Sequence, residues 1–249
     1  VSDIVTISMG ASGGAAMRIR PADSPSVTVA EFDDPKSDDN GPGSYTYPTA
    51  NNFNDGAFDL RSFRVLETDQ KYRFTFEVED LYDTFGGTFS PHYFLVYLRD
   101  PEADGGRTEK FEDENLSPKL TANFAKAWQY RIDASGFAKG ITDADGGDLG
   151  TPEVFVSFES NTAVVSVPKS AVGGDISGWE AAPVVGSEDR GSLRAVAEEA
   201  GTFVFGGARE GAAGNAPRVV DLVTPDGVSQ ADALDYGPDS LASLPFTSL

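Results

Sequence analysis

Cysteine is absent from the sequence, and histidine, methionine and tryptophan are nearly so, at one, two and two residues. Without cysteine there is no disulfide, no thiolate nucleophile and no cysteine-ligated zinc. The single histidine, His92, cannot build a histidine-based metal centre, and no nucleophile elbow exists to complete a hydrolase triad. Within the apolar run Pro91-His92-Tyr93-Phe94-Leu95-Val96-Tyr97 it reads as a strand histidine bonded to a neighbour. Basic residues are also scarce, 19 against 40 acidic, for a net charge of −21. Such a charge repels nucleic acid and anionic membranes and excludes both as ligands. No apolar run reaches the roughly 18 residues that would mark a membrane-spanning helix. The opening Val1-Ser2-Asp3-Ile4 has neither a charged nor an apolar leader region, so we expect a signal peptide to be absent or already removed.

The remaining composition, 39% hydrophobic with 17 Phe and 8 Tyr, is ample for one large core. Self-repulsion of the acidic surface is relieved by concentrated salt, and basic residues that are mostly arginine fit a salt-rich setting. Period-two alternation over Tyr72–Glu79 predicts a half-buried strand. The run Phe58–Leu66 alternates with a phase slip near Ser62-Phe63, a predicted β-bulge, and the two should form a hairpin. His92–Leu98 is apolar enough for a central strand covered on both faces. Further strands are expected at Ala127–Ala134, Glu153–Glu159, Thr162–Val167, Ala181–Ser187 and Phe203–Phe205, with Ser160-Asn161 as a two-residue turn. Short helices are expected at Glu114–Lys126 and Ser229–Leu234. The fold class is therefore all-β, an antiparallel sandwich with one or two short helices. Residues 1–26 read as a linker or extra edge strand, and 27–249 as the module proper.

One stretch stands out chemically, Phe32-Asp33-Asp34-Pro35-Lys36-Ser37-Asp38-Asp39-Asn40-Gly41-Pro42-Gly43-Ser44-Tyr45-Thr46-Tyr47-Pro48-Thr49. Prolines and glycines bend it into a loop, and its aspartates repel one another unless water or a cation stands among them. A hard cation with about six to eight oxygen ligands suits such a loop, which favours Ca²⁺. The expected ligands are Asp34, Asp38, Asp39 and Asn40, with Asp59 or Asp221 and loop carbonyls. The alternative is a solvated acidic turn. The clusters at Asp100–Gly106 and Asp143–Asp148 lack a full cation-loop pattern and read as surface turns.

The motif Asp34-Pro35-x-x-Asp38-Asp39-x-Gly41-Pro42-Gly43-x-Tyr45-x-Tyr47-Pro48, followed by Phe58-Asp59-Leu60, resembles the opening of the C-terminal binding module of glucodextranase. The resemblance continues through Val165–Ser170, Gly178-Trp179, Phe203-x-Phe205-Gly206-Gly207-Ala208, Asn215-x-Pro217–Leu222, Thr224–Gln230 and Leu244-Pro245. It implies a DOMON-like, family-9-like or jelly-roll sandwich that binds carbohydrate, an α-glucan, or docks an enzyme at a cell surface. The partner is then a polysaccharide or a cell-envelope component, the location extracellular or cell-surface, and catalysis belongs to a separate domain that could lie upstream. Paired carboxylates of a glycosidase cannot be picked out among forty acidic residues, so the chain itself reads as non-catalytic. Some DOMON-like domains bind haem, for which only His92, Met9 and Met17 offer axial ligands.

Sugars are held by flat aromatic faces with a few fixed polar groups. Tyr45, Tyr47, Phe53, Tyr82, Phe85 and Phe89 fall in loops and are the expected carbohydrate-binding residues. Trp128 and Trp179, at the starts of strand-like runs, fit core packing equally well.

Overall fold

The computed structural model describes residues 26–111 and 118–249. The expected linker or edge strand at the N-terminus therefore lies outside the described residues, but for Ser26, as do Met9 and Met17. Val27–Asp33 (β1), Leu60–Glu67 (β2), Lys71–Val78 (β3), Glu153–Ser157 (β9) and Thr162–Pro168 (β10), numbered in chain order, form one antiparallel sheet, in the spatial order β1-β2-β3-β10-β9. The predicted β2–β3 hairpin is present with Glu67 opposite Tyr72, and its register shifts between Leu60 and Ser62, beside the expected bulge.

The second sheet runs β12-β11-β4-β6-β7-β8, from Ser192–Leu193 (β12), Glu180–Asp189 (β11), His92–Arg99 (β4), Tyr130–Ser135 (β6), Lys139–Asp143 (β7) and Asp148–Gly150 (β8). Asp221–Leu222 (β13) and Thr247–Ser248 (β15) also pair with β11. A parallel pair joins Ala122–Phe124 (β5) to Ala242–Leu244 (β14). Strand β4 is buried from His92 to Leu98, as its run of apolar residues predicts. Phe94 meets Phe76 of the facing sheet at 4.8 Å between ring centroids, whereas Tyr97 packs on Phe124 at 4.4 Å and Trp128 at 5.2 Å. One core thus lies between the sheets and a second layer of loops covers β4 from behind.

Several expectations need correction. The described part of Glu114–Lys126 holds β5, not a helix. Phe203–Phe205 makes only isolated bridges. Ser157 pairs with Thr162, so the β9–β10 turn takes four residues where two were expected. The helix at the C-terminal side is one turn, Gln230–Ala233 (α1), whose N-cap Ser229 accepts from the Asp232 amide.

Candidate functional site

The acidic loop is folded by its own prolines and glycines and by partners from far along the chain. The Asn40 carbonyl accepts from the Gly43 and Tyr45 amides at 3.1 and 2.8 Å, and Gly41 N donates to the Val220 carbonyl at 2.9 Å. Gly41 has φ +59, and a Cβ there would sit 2.3 Å from the Tyr45 ring. The Gln230 amide donates to the carbonyls of Asp38 and Gly41, the latter at 3.0 Å. Gln230 falls in the helix expected at Ser229–Leu234, but no sequence signal links its side chain to the acidic loop.

Three carboxylates converge here. Asp34 lies just beyond β1, Asp38 is in the loop, and Asp221 opens β13 on the other sheet. One carboxylate oxygen from each lies within 4.8 Å of the others. Asp221 is wholly buried and accepts from the Leu60 amide at 2.7 Å and the Leu222 amide at 2.8 Å. Asp34 Oδ2 and Asp38 Oδ1 are buried with no hydrogen-bond partner. Burial, then the charges of Asp38 and Asp59, push Asp34 up to about 8. Burial and the charges of Asp34 and Asp38 raise Asp221 well above the ordinary carboxylate range. Burial, with Asp59 beside it, raises Asp38 too. Orphaned buried carboxylate oxygens are costly unless a proton or a cation joins them, so the donor set fits a hard cation.

The other expected ligands are placed differently. Asp59 is ion-paired with Arg61 at 3.2 Å and accepts from the Ser37 amide through both oxygens, at 3.1 and 3.0 Å. Asp39 accepts from the Tyr47 hydroxyl, and Asn40 contributes its carbonyl to the loop's own turn. Asp59 and Asp39 stay close enough to raise the site's negative potential but already have partners. In the Asp143–Asp148 cluster, Asp143 caps its own turn, accepting from the Asp145 and Gly147 amides at 2.9 and 2.7 Å.

Half of the six expected sugar-stacking rings are internal. Tyr45, Phe53 and Phe89 are 6%, 7% and 0% exposed, so none offers a face to a ligand. The Tyr45 hydroxyl donates to the Pro217 carbonyl at 2.7 Å. Tyr47 and Tyr82 are half-buried, their hydroxyls bonded to Asp39 and to the Asn52 carbonyl. Phe85, also half-buried, lies against exposed Phe203, with ring centroids 6.3 Å apart. His92 is fully buried, its ring nitrogens 3.0 Å from the Phe89 and Asp80 carbonyls, and it offers no axial position to haem.

The sequence pattern of a family described as the SLH-like C-terminal binding module of glucodextranase matches residues 29–244. No curated protein matches the chain.

Proposed function

This chain belongs to the family of SLH-like C-terminal binding modules of glucodextranase, and we propose that it is a non-catalytic, α-glucan-associated module of a surface enzyme that degrades glucans. The family is a binding module and not a catalytic domain; that membership, across nearly all the described residues, carries the reading. Among the described residues no helix is long and apolar enough to cross a membrane. Isolated protein is expected to sediment with insoluble starch or cross-linked dextran. Retention on purified cell envelopes with none on either glucan would favour a docking role instead, a reading that the SLH-like character of the family supports.

We further propose that Ca²⁺ stabilises the module, held by Asp34, Asp38 and Asp221. Two orphaned buried oxygens and three mutually close carboxylates support a divalent cation, and a mixed, loop-borne oxygen set favours Ca²⁺ over the stricter octahedral Mg²⁺. The ion would cancel charge and tie the loop to β13.

Adaptation to salt completes the proposal. With a net charge of −21, self-repulsion is strong in dilute buffer and is screened at about 1 M salt, where the Debye length is about 3 Å. The melting temperature is expected to climb steeply between low and molar salt in a non-chelating buffer. A melting temperature indifferent to salt would remove this part of the reading.

A further inference from the structure

A concave pocket of about 490 Å³ opens where the β6–β7 turn, the β11–β12 turn and the Tyr82–Ser90 loop meet, lined by Phe85, Phe137, Phe203, Asp189, Arg190 and Arg194. Its volume falls in the range of small-ligand sites, about 300–1,000 Å³. Phe137 and Phe203 are 54% and 46% exposed and, with half-buried Phe85, put three rings on one concavity, whereas the exposed Phe155 and Phe158 lie outside it.

The walls are fixed from below. Buried Arg194 donates to the Phe203 carbonyl at 2.8 Å and to Ser187 Oγ at 3.0 Å, and its guanidinium lies 4.9 Å from the Phe53 ring centroid. Phe53, Phe85 and Phe203 form a closed triangle with centroids 5.8, 6.3 and 6.3 Å apart. Phe137 is held by the apposition of two glycines: a Cβ on Gly87 would lie 3.0 Å from Gly136 Cα and 3.2 Å from the Phe137 ring. On the rim, Arg190 and Gly191 have φ of 53° and 83°, the pair of left-handed residues that makes a tight hairpin turn. That turn places exposed Asp189 and Arg190 beside the rings as an acceptor and a donor.

We infer that this pocket is the saccharide site, taking one or a few pyranose units of a neutral glucan. The assignment rests on the glucan-binding reading above. Apolar ring faces match the C–H faces of a pyranose, and an adjacent carboxylate and guanidinium match its hydroxyl edge. Neutral polymers escape the repulsion that a surface of charge −21 imposes on anionic ones.

Sedimentation with insoluble starch and with cross-linked dextran, using the whole chain, tests the assignment. Phe137→Ala and Phe203→Ala should each weaken retention about tenfold or more, the scale of an aromatic anchor, with the melting temperature kept. Arg190→Ala should weaken it less. Phe155→Ala, which removes an exposed ring on β9 outside the pocket, should leave retention unchanged. Wild-type retention that survives in both pocket variants overturns the assignment while the binding reading stands. No wild-type retention on either glucan overturns the two together.

Discussion

Raising free Ca²⁺ to about 100 times its dissociation constant is expected to stabilise the fold by about 2.7 kcal/mol, a rise in melting temperature of roughly 5–11 °C for a chain of this size. Chelator should reverse it. Without the ion, Asp34 and Asp221 keep their acids protonated in the folded state far above the ordinary carboxylate range, Asp34 to about 8. The folded protein then binds more protons than the unfolded chain between about pH 4 and 8, so stability in chelator should fall as pH rises through that window. With Ca²⁺ present the ionised carboxylates are the bound form, and the fall should flatten. Ca²⁺ uptake near pH 7 should therefore release protons. Asp38→Asn and Asp34→Asn should each abolish the response to Ca²⁺, and Asp34→Asn in chelator near pH 7 should be no less stable than wild type, because a neutral amide replaces an acid that the ion-free fold must keep protonated. Asp143→Ala should leave the response whole. Identical melts with and without chelator would reduce the cluster to carboxylates that share protons.

Gly207→Ala is expected to cost about 4 kcal/mol or more, roughly 8–16 °C in melting temperature. Gly207 has φ +91, and a Cβ there would fall 1.9 Å from the Ser44 carbonyl oxygen. Neither chain can step aside. The Thr46 amide donates to the Gly206 carbonyl at 3.1 Å and the Gly206 amide to the Thr46 carbonyl at 2.9 Å, Gly207 N donates to the Glu198 carbonyl at 3.1 Å, and Ser44 Oγ donates to the Gly207 carbonyl at 2.8 Å. On the far side, Tyr45 is anchored to Pro217. The lower entropy of an unfolded alanine returns only about 0.4–1 kcal/mol. Because the displaced segment carries the acidic loop with it, the variant should also respond less to Ca²⁺. A melting temperature within about 2 °C of wild type would mean that the Ser44–Tyr45 backbone yields far more readily than its bonds imply.

The parts of this structure set by local pattern were legible in the sequence. Alternation from Tyr72 to Glu79 marks β3, the phase slip near Ser62 marks the bulge, and the dense apolar run from His92 marks a strand covered on both sides. The acidic loop was legible as a loop. Which of its carboxylates converge was not, because Asp38 and Asp39 are neighbours that turn to different partners, and Asp221 arrives only through the pairing of β13 with β11. Asp59 and Arg61, two apart at the start of β2, carried a local hint of the ion pair that occupies them. The aromatics misled for a related reason: the loops that hold Tyr45, Phe53 and Phe89 are themselves packed into the core, so loop position did not mean exposure. Phe137, at the tip of a Ser-Gly-Phe-Ala turn, had no periodicity to single it out.

Asp34 follows the first described strand, whereas Asp221 stands on one of the last, and no cysteine exists to link such distant points. An ion held between them would bridge two points separated by most of the described sequence, and would do so only in the folded state. With that ion in place, opening would require its release, and the unfolding half-life, and with it resistance to proteases, would then follow the free Ca²⁺ around the molecule.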